Sequence, residues 1–188
     1  MSYTGNGDTL PGMREIFTLG HSTHPIEEFA ALLGAHGATL VVDIRTIPRS
    51  RHNPQFGEEE LKVSLPEFGI GYRRLEALGG LRRTTADSVN TGWKNTSFRG
   101  YADYMQTGAF QDGIDELLRL ADGQTVAIMC AEAVPWRCHR SLVGDALLVR
   151  GASVTDIYSV SSAKPHTLTR FAHVDGTTIT YPPIPEPV

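Results

Sequence analysis

The chain has 188 residues, a net charge of -4 and 40% apolar residues, which fits one globular domain able to build a core without disulfide staples. Two cysteines are too few for a secreted disulfide scaffold, no apolar run reaches the length of a membrane span, and the start lacks a basic-then-apolar leader. Composition therefore predicts a cytoplasmic protein with no membrane partner.

Met1 to Met13 is polar and glycine-rich without a period, so residues 1–13 are expected to form a disordered arm. Glu15 to Leu19 reads as a first strand, and Gly20-His21-Ser22 as its exit. A helix is expected from about Pro25 to Gly34, with Ser22 or Thr23 as its cap. Thr39 to Asp43 is a second, almost wholly apolar strand that leaves through Asp43-Ile44-Arg45. The Pro- and Arg-rich stretch to Gly57 is long for a connection, which points to function or mobility. A short helix over Glu58–Leu65 and a strand over Ile70–Leu75 come next, then an aperiodic run to Phe98 expected to form a lid-like excursion that includes residues 84–96. Helical spacing resumes from Phe98 and ends at Asp122-Gly123.

Val126 to Met129 is a short apolar run of the kind buried on both faces of a sheet, and it ends in Cys130. Leu142, Val143, Ala146, Leu147 and Val149 then recur at helical spacing, which places Cys138, His139 and Arg140 near the first turn of a helix. Val154 to Val160 is read as the last strand of a single domain over residues 14–160, and residues 161–188 as a C-terminal extension with a Pro-rich tail. Apolar strands alternating with helices predict an α/β three-layer sandwich, with a mostly parallel central sheet and helices on both faces. In that fold His21, Asp43 to Arg45, and Cys130 would meet at the carboxyl edge of the sheet.

Cys138, near a helix start and beside Arg137, His139 and Arg140, is the better expected thiolate, with Cys130 as its resolving partner. The pair could also form a disulfide, a geometry that spacing does not fix. Glu132, His139 and Asp43 are candidate acids or bases. Arg45, Arg99 and Arg140 are candidate anion clamps, because guanidinium binds phosphate or carboxylate in two-pronged fashion. His21 and Ser22, ahead of a helix, could present backbone N–H groups to an anion. Cys130, Cys138, His139 and His21 also permit a metal-site reading, although their spacing departs from the usual ligand pairs.

Between Ile44 and Gly100 stand ten Lys or Arg against six acids, while the rest of the chain carries seven against fifteen. Such a basic middle suits an anionic ligand or nucleic acid, and equally a solvated loop.

Gly20-His-Ser, Asp43-Ile-Arg, Phe98-Arg-Gly-Tyr101, Cys130-Ala-Glu and Cys138-His-Arg, in that order, resemble the prokaryotic family known as domain of unknown function 488. The resemblance runs from about Ile16 to about Tyr158. It implies an α/β domain with a cluster of Cys130, Glu132, Cys138, His139 and Arg140, adds Tyr101 to the candidate ligand-binding residues, and supplies no activity. Asp43-Ile44-Arg45 is also similar to the Asp-Val-Arg of rhodaneses, but Arg137 falls one residue late for a cysteine-phosphatase loop and that loop has no glycine.

The leading expectation is an enzyme that acts on a phosphate-bearing or other anionic small molecule or nucleotide through a cysteine-containing site. A nucleic-acid or nucleotide binding module built on residues 45–99 is the first alternative, and a Cys/His metal site the second. Cofactor and oligomeric state are not readable from the residues.

Overall fold

Residues 14–183 are described by a computed structural model. In chain order the elements are β1 (Glu15–Gly20), α1 (Ile26–Ala35), β2 (Leu40–Asp43), α2 (Glu58–Glu67), β3 (Gly71–Arg74), α3 (Thr96–Tyr104) and α4 (Gly108–Leu120). They continue through β4 (Val126–Cys130), α5 (Arg140–Val149), β5 (Ser153–Ser159), β6 (Ser162–Pro165), β7 (His173–Asp175) and β8 (Thr178–Thr180). The expected arm at residues 1–13 and the end of the Pro-rich tail lie outside the described residues.

The main sheet runs β3-β2-β4-β1-β5-β6, parallel except for β6, and β7 and β8 form a separate hairpin. The α/β sandwich is therefore as expected. Strand side chains alternate between two cores. Phe17, Val41, Ala127 and Met129 pack with Phe29 and Leu33 of α1 and Leu61 and Leu65 of α2. Ile16, Val42, Val126, Ile128 and Cys130 face Tyr101 of α3, Ile114 of α4 and Leu142 of α5. With all five residues of β4 buried, this strand is apolar throughout rather than alternating.

β4 lies between β1 and β2, so its connection crosses one face of the sheet while those of β1 and β2 cross the other. Connections that diverge around one strand end open a crevice there, and open α/β sheets bind ligands at such points.

Two sequence expectations change. Neither Ser22 nor Thr23 caps α1; Pro25 does, without a side-chain bond. Ser22 instead takes a left-handed φ of 48° and donates its N–H to Ala131 O. The 84–96 stretch is tied down to α3 rather than standing free of it. Asp103 of α3 accepts hydrogen bonds from Thr85 N, Ser88 Oγ and Asn90 Nδ2, and Trp93 stacks on Phe98.

The segment expected as an extension after residue 160 is tied to the domain. β6 pairs with β5, and Ile179 and Tyr181 enter the core beneath α3–α5. The tie is polar as well as apolar. Asp145 of α5 accepts from Tyr181 Oη at 2.9 Å and Thr169 N at 3.1 Å and meets His166 at 3.1 Å, while His166 also meets Asp156 of β5 at 3.0 Å. A short apolar count and many prolines hide this segment's anchoring from any periodicity argument. Among the described residues, no helix is long and apolar enough to cross a membrane.

Candidate functional site

The ends of β1, β2 and β4 are level. Gly20 pairs with Cys130 and Asp43 with Met129, and the ladder continues beyond the strands through His21 N to Cys130 O and Ile44 N to Met129 O. The loop after Cys130 folds back across β1, so a Cβ on Gly20 would stand 1.7 Å from Glu132 O. Only glycine permits that approach.

Cys130 and Cys138 are both free and buried, and their sulfurs are 2.7 Å apart, with Cys138 donating. Arg140 reaches back from the first turn of α5 and places Nη1 2.8 Å from Cys130 Sγ and 3.1 Å from Glu132 O. Burial pushes the Cys130 thiol up, but the Cys138 hydrogen bond and the Arg140 charge outweigh it and hold this thiol below its ordinary range. Cys138 moves the other way. The proton it shares toward Cys130, then burial, raise it well above a free thiol. The geometry thus favours Cys130 as thiolate and Cys138 as thiol, the reverse of the order expected from helix position alone. Proximity to a helix start is outweighed by the guanidinium, which touches the other sulfur.

His139 packs its ring 4.8 Å from that of Tyr101, and its Nε2 lies 3.0 Å from Ile44 O. A carbonyl only accepts, so Nε2 carries the hydrogen and Nδ1 turns a lone pair toward Cys138 Sγ, 3.6 Å away. Burial lowers His139 to about 4 and keeps the ring neutral at physiological pH.

On the other face, Arg45 is buried and bound by Nε and Nη2 to Asp43, by Nη2 to Phe56 O, and by Nη1 to His21 Nε2 at 3.2 Å. Tyr72 Oη donates to the same Asp43. His21 stacks on Phe56, donates Nδ1–H to Ser22 O, and is pulled down to about 4, first by burial. Arg45 is therefore a buttress that orients His21, and the salt-bridge use of this arginine prevails over the anion clamp.

These groups border a cleft of about 310 Å³ whose lining includes His21, Arg45, Cys130, Cys138 and His139. A side lobe of about 180 Å³ opens from the same Cys138–His139 wall toward Phe98 and Tyr101. Glu132 lines both lobes, yet its side chain is exposed; what it gives to the cysteine centre is its backbone carbonyl. Arg99 is not in the cleft, because it folds onto Trp93 O through Nε and Nη2. Ser22 lies behind the cleft wall, bonded to Ala131 O. Arg49, Ser50 and Leu81 line the cleft without having been singled out from sequence. The signals for them were the arginine of Pro48-Arg49-Ser50 in a Pro- and Arg-rich loop and the Gly79-Gly80 pair, and both are weak without the fold. Much of the basic middle is internally matched, with Arg73 to Glu116, Arg74 to Glu58 and Lys62 to Glu58 and Glu59. Among the described residues, no three Cys, His, Asp or Glu side chains converge to hold a metal ion.

A family model described as Domain of unknown function DUF488 matches residues 25–147. The chain belongs to this family. The matched range holds both cysteines, Asp43, Arg45, His139 and Arg140, while His21 lies just before it. Neither a curated protein nor a solved structure matches this DUF488 chain.

Proposed function

We propose that this DUF488 protein is a two-cysteine thiol enzyme acting on a small anionic ligand, with Cys130 as nucleophile and Cys138 as resolving thiol. The observation that carries the reading is the convergence of Arg140 and Cys138 on one sulfur, Cys130, at the base of a cleft. Two donors on a buried sulfur favour its anion, and a thiolate is the reactive form.

In the first step the Cys130 sulfur attacks a divalent sulfur or peroxide oxygen of the ligand, a covalent bond forms, and the leaving group departs with its bonding pair. Cys130 is then neutral and no longer holds the Cys138 proton. That proton passes to His139 Nδ1, and the new Cys138 thiolate attacks Cys130 Sγ. The ligand fragment leaves with the electron pair and takes the proton from His139, so that the ligand as a whole is reduced by two electrons, and an external dithiol reduces the resulting disulfide. His21, neutral and oriented by Arg45, borders the same cleft as a hydrogen-bonding group. Such a cycle suits a cytoplasm that keeps thiols reduced.

The binding-module alternative gains no support from the internally paired basic residues. Treatment with one equivalent of hydrogen peroxide tests the enzyme reading. The wild type is expected to form the Cys130–Cys138 disulfide, and Cys138→Ser to accumulate a Cys130 sulfenic acid that dimedone traps. Oxidation at Cys138 with Cys130 left as thiol would overturn the assignment.

A further inference from the structure

The proposed thiol chemistry leaves open what the ligand looks like, and the walls of the cleft carry information on that. Of the arginines around the cysteine centre, Arg45 and Arg140 are buried and engaged, whereas Arg49 is exposed at the mouth of the main lobe. Arg137 is exposed at the side lobe. Within the lining of the two lobes these guanidiniums meet one carboxylate, Glu132, while on its other side Arg49 borders Glu58, Glu59 and Glu60. Ser50 Oγ accepts from Asn53 N at 3.0 Å, so its O–H is left to donate.

The other walls are apolar. Phe98 and Tyr101 are buried and form the back of the side lobe. Leu81 lines both lobes, is 77% exposed and has φ of 55°. A leucine in this left-handed region costs about 1–2 kcal/mol, and side chains held so tend to mark ligand clamps. Gly80 makes the placement feasible, since a Cβ there would press to 2.9 Å on His139 Nδ1. Ile47, 53% exposed, adds a second apolar side chain to the main lobe.

We infer that the ligand is a small flat aromatic compound bearing one anionic group, carboxylate or phosphate, with the ring in the side lobe between Leu81 and the Phe98–Tyr101 wall and the anion at Arg49 and Ser50. The side lobe, about 180 Å³, has room for one ring, given that a cavity of about 150 Å³ holds benzene. Cys138 lines both lobes and Cys130 the main one, so a ligand that spans the two lobes passes the cysteine pair. This assignment rests on the thiol reading for its purpose but not for its test.

Binding of three inert probes, followed by ligand-observed proton NMR, decides it: 4-methylbenzoate, acetate and 4-methylbenzamide. 4-Methylbenzoate is expected to bind the wild type about tenfold more tightly than either other probe, the equivalent of one charge-assisted contact. Leu81→Gly, which suits the left-handed backbone and so keeps the fold, is expected to bring 4-methylbenzoate down to acetate. Arg49→Ala is expected to bring it down to 4-methylbenzamide. Equal affinity for the three probes, no binding of 4-methylbenzoate, or the same preference in both variants would overturn the assignment. None of these readouts involves the thiols, so a failed sulfur mechanism and a failed ligand class give different results.

Discussion

Arg140 Nη1 stands 2.8 Å from Cys130 Sγ, while what Arg140 offers Cys138 is its backbone N–H, 3.4 Å from that sulfur. A fixed positive charge on one member of a thiol pair decides which member ionises. Arg140→Met keeps the volume and removes the charge. Losing one charge-assisted bond to a buried anion costs about 1.5–3 kcal/mol, so alkylation of Cys130 at neutral pH is expected to slow roughly ten- to a hundredfold. Rates with iodoacetamide check this, and an unchanged rate would remove Arg140 from the account.

His166 predicts a pH dependence of stability unconnected with the thiols. Burial pulls its pKa down, but hydrogen bonds to Asp145 and Asp156 prevail and raise it to about 9. A raised folded-state value means that the protonated ring stabilises the fold. That contribution is complete below the unfolded value near 6.5 and is lost as pH climbs toward about 9. Its ceiling is on the order of 3 kcal/mol. Urea midpoints are expected to fall across this window in the wild type and to stay flatter in His166→Gln.

Gly20→Ala tests the close crossing of the cysteine loop over β1. The added methyl would meet a backbone carbonyl at 1.7 Å, and backbone cannot rotate aside. A loss of about 3 kcal/mol is expected in urea unfolding, together with slower Cys130 alkylation as the loop shifts.

Removal of everything after residue 160 tests how far that segment stabilises the domain. It would expose the β5 edge and leave Asp145 without its Tyr181, Thr169 and His166 partners. The truncated chain is expected to lose cooperative unfolding. Tyr181→Phe, a milder change, is expected to cost about 1–2 kcal/mol. Retention of full stability by the truncated chain would show that these contacts do not hold the domain together.

Much of the site was legible from strand ends. His21, Asp43, Arg45 and Cys130 each follow an apolar run, and parallel strands bring such ends to one edge. The insertion of β4 between β1 and β2 was not legible, because strand order depends on which face each connection crosses. Spacing also could not tell which sulfur Arg140 touches, since the side chain folds back over ten residues of sequence to reach Cys130. Arg45 and Arg99 look alike in the sequence as arginines near motifs. One turns inward to Asp43 and the other away to Trp93 O, and tertiary packing alone separates them.

The most direct test of the central claim is iodoacetamide labelling of the wild type from about pH 5 to 9, with the modified cysteine located by peptide mass. Cys130 is predicted to label first, with a midpoint below that of a free cysteine, while Cys138 stays protected until Cys130 has reacted. Labelling of Cys138 first, or a Cys130 midpoint at or above the free value, would contradict the account.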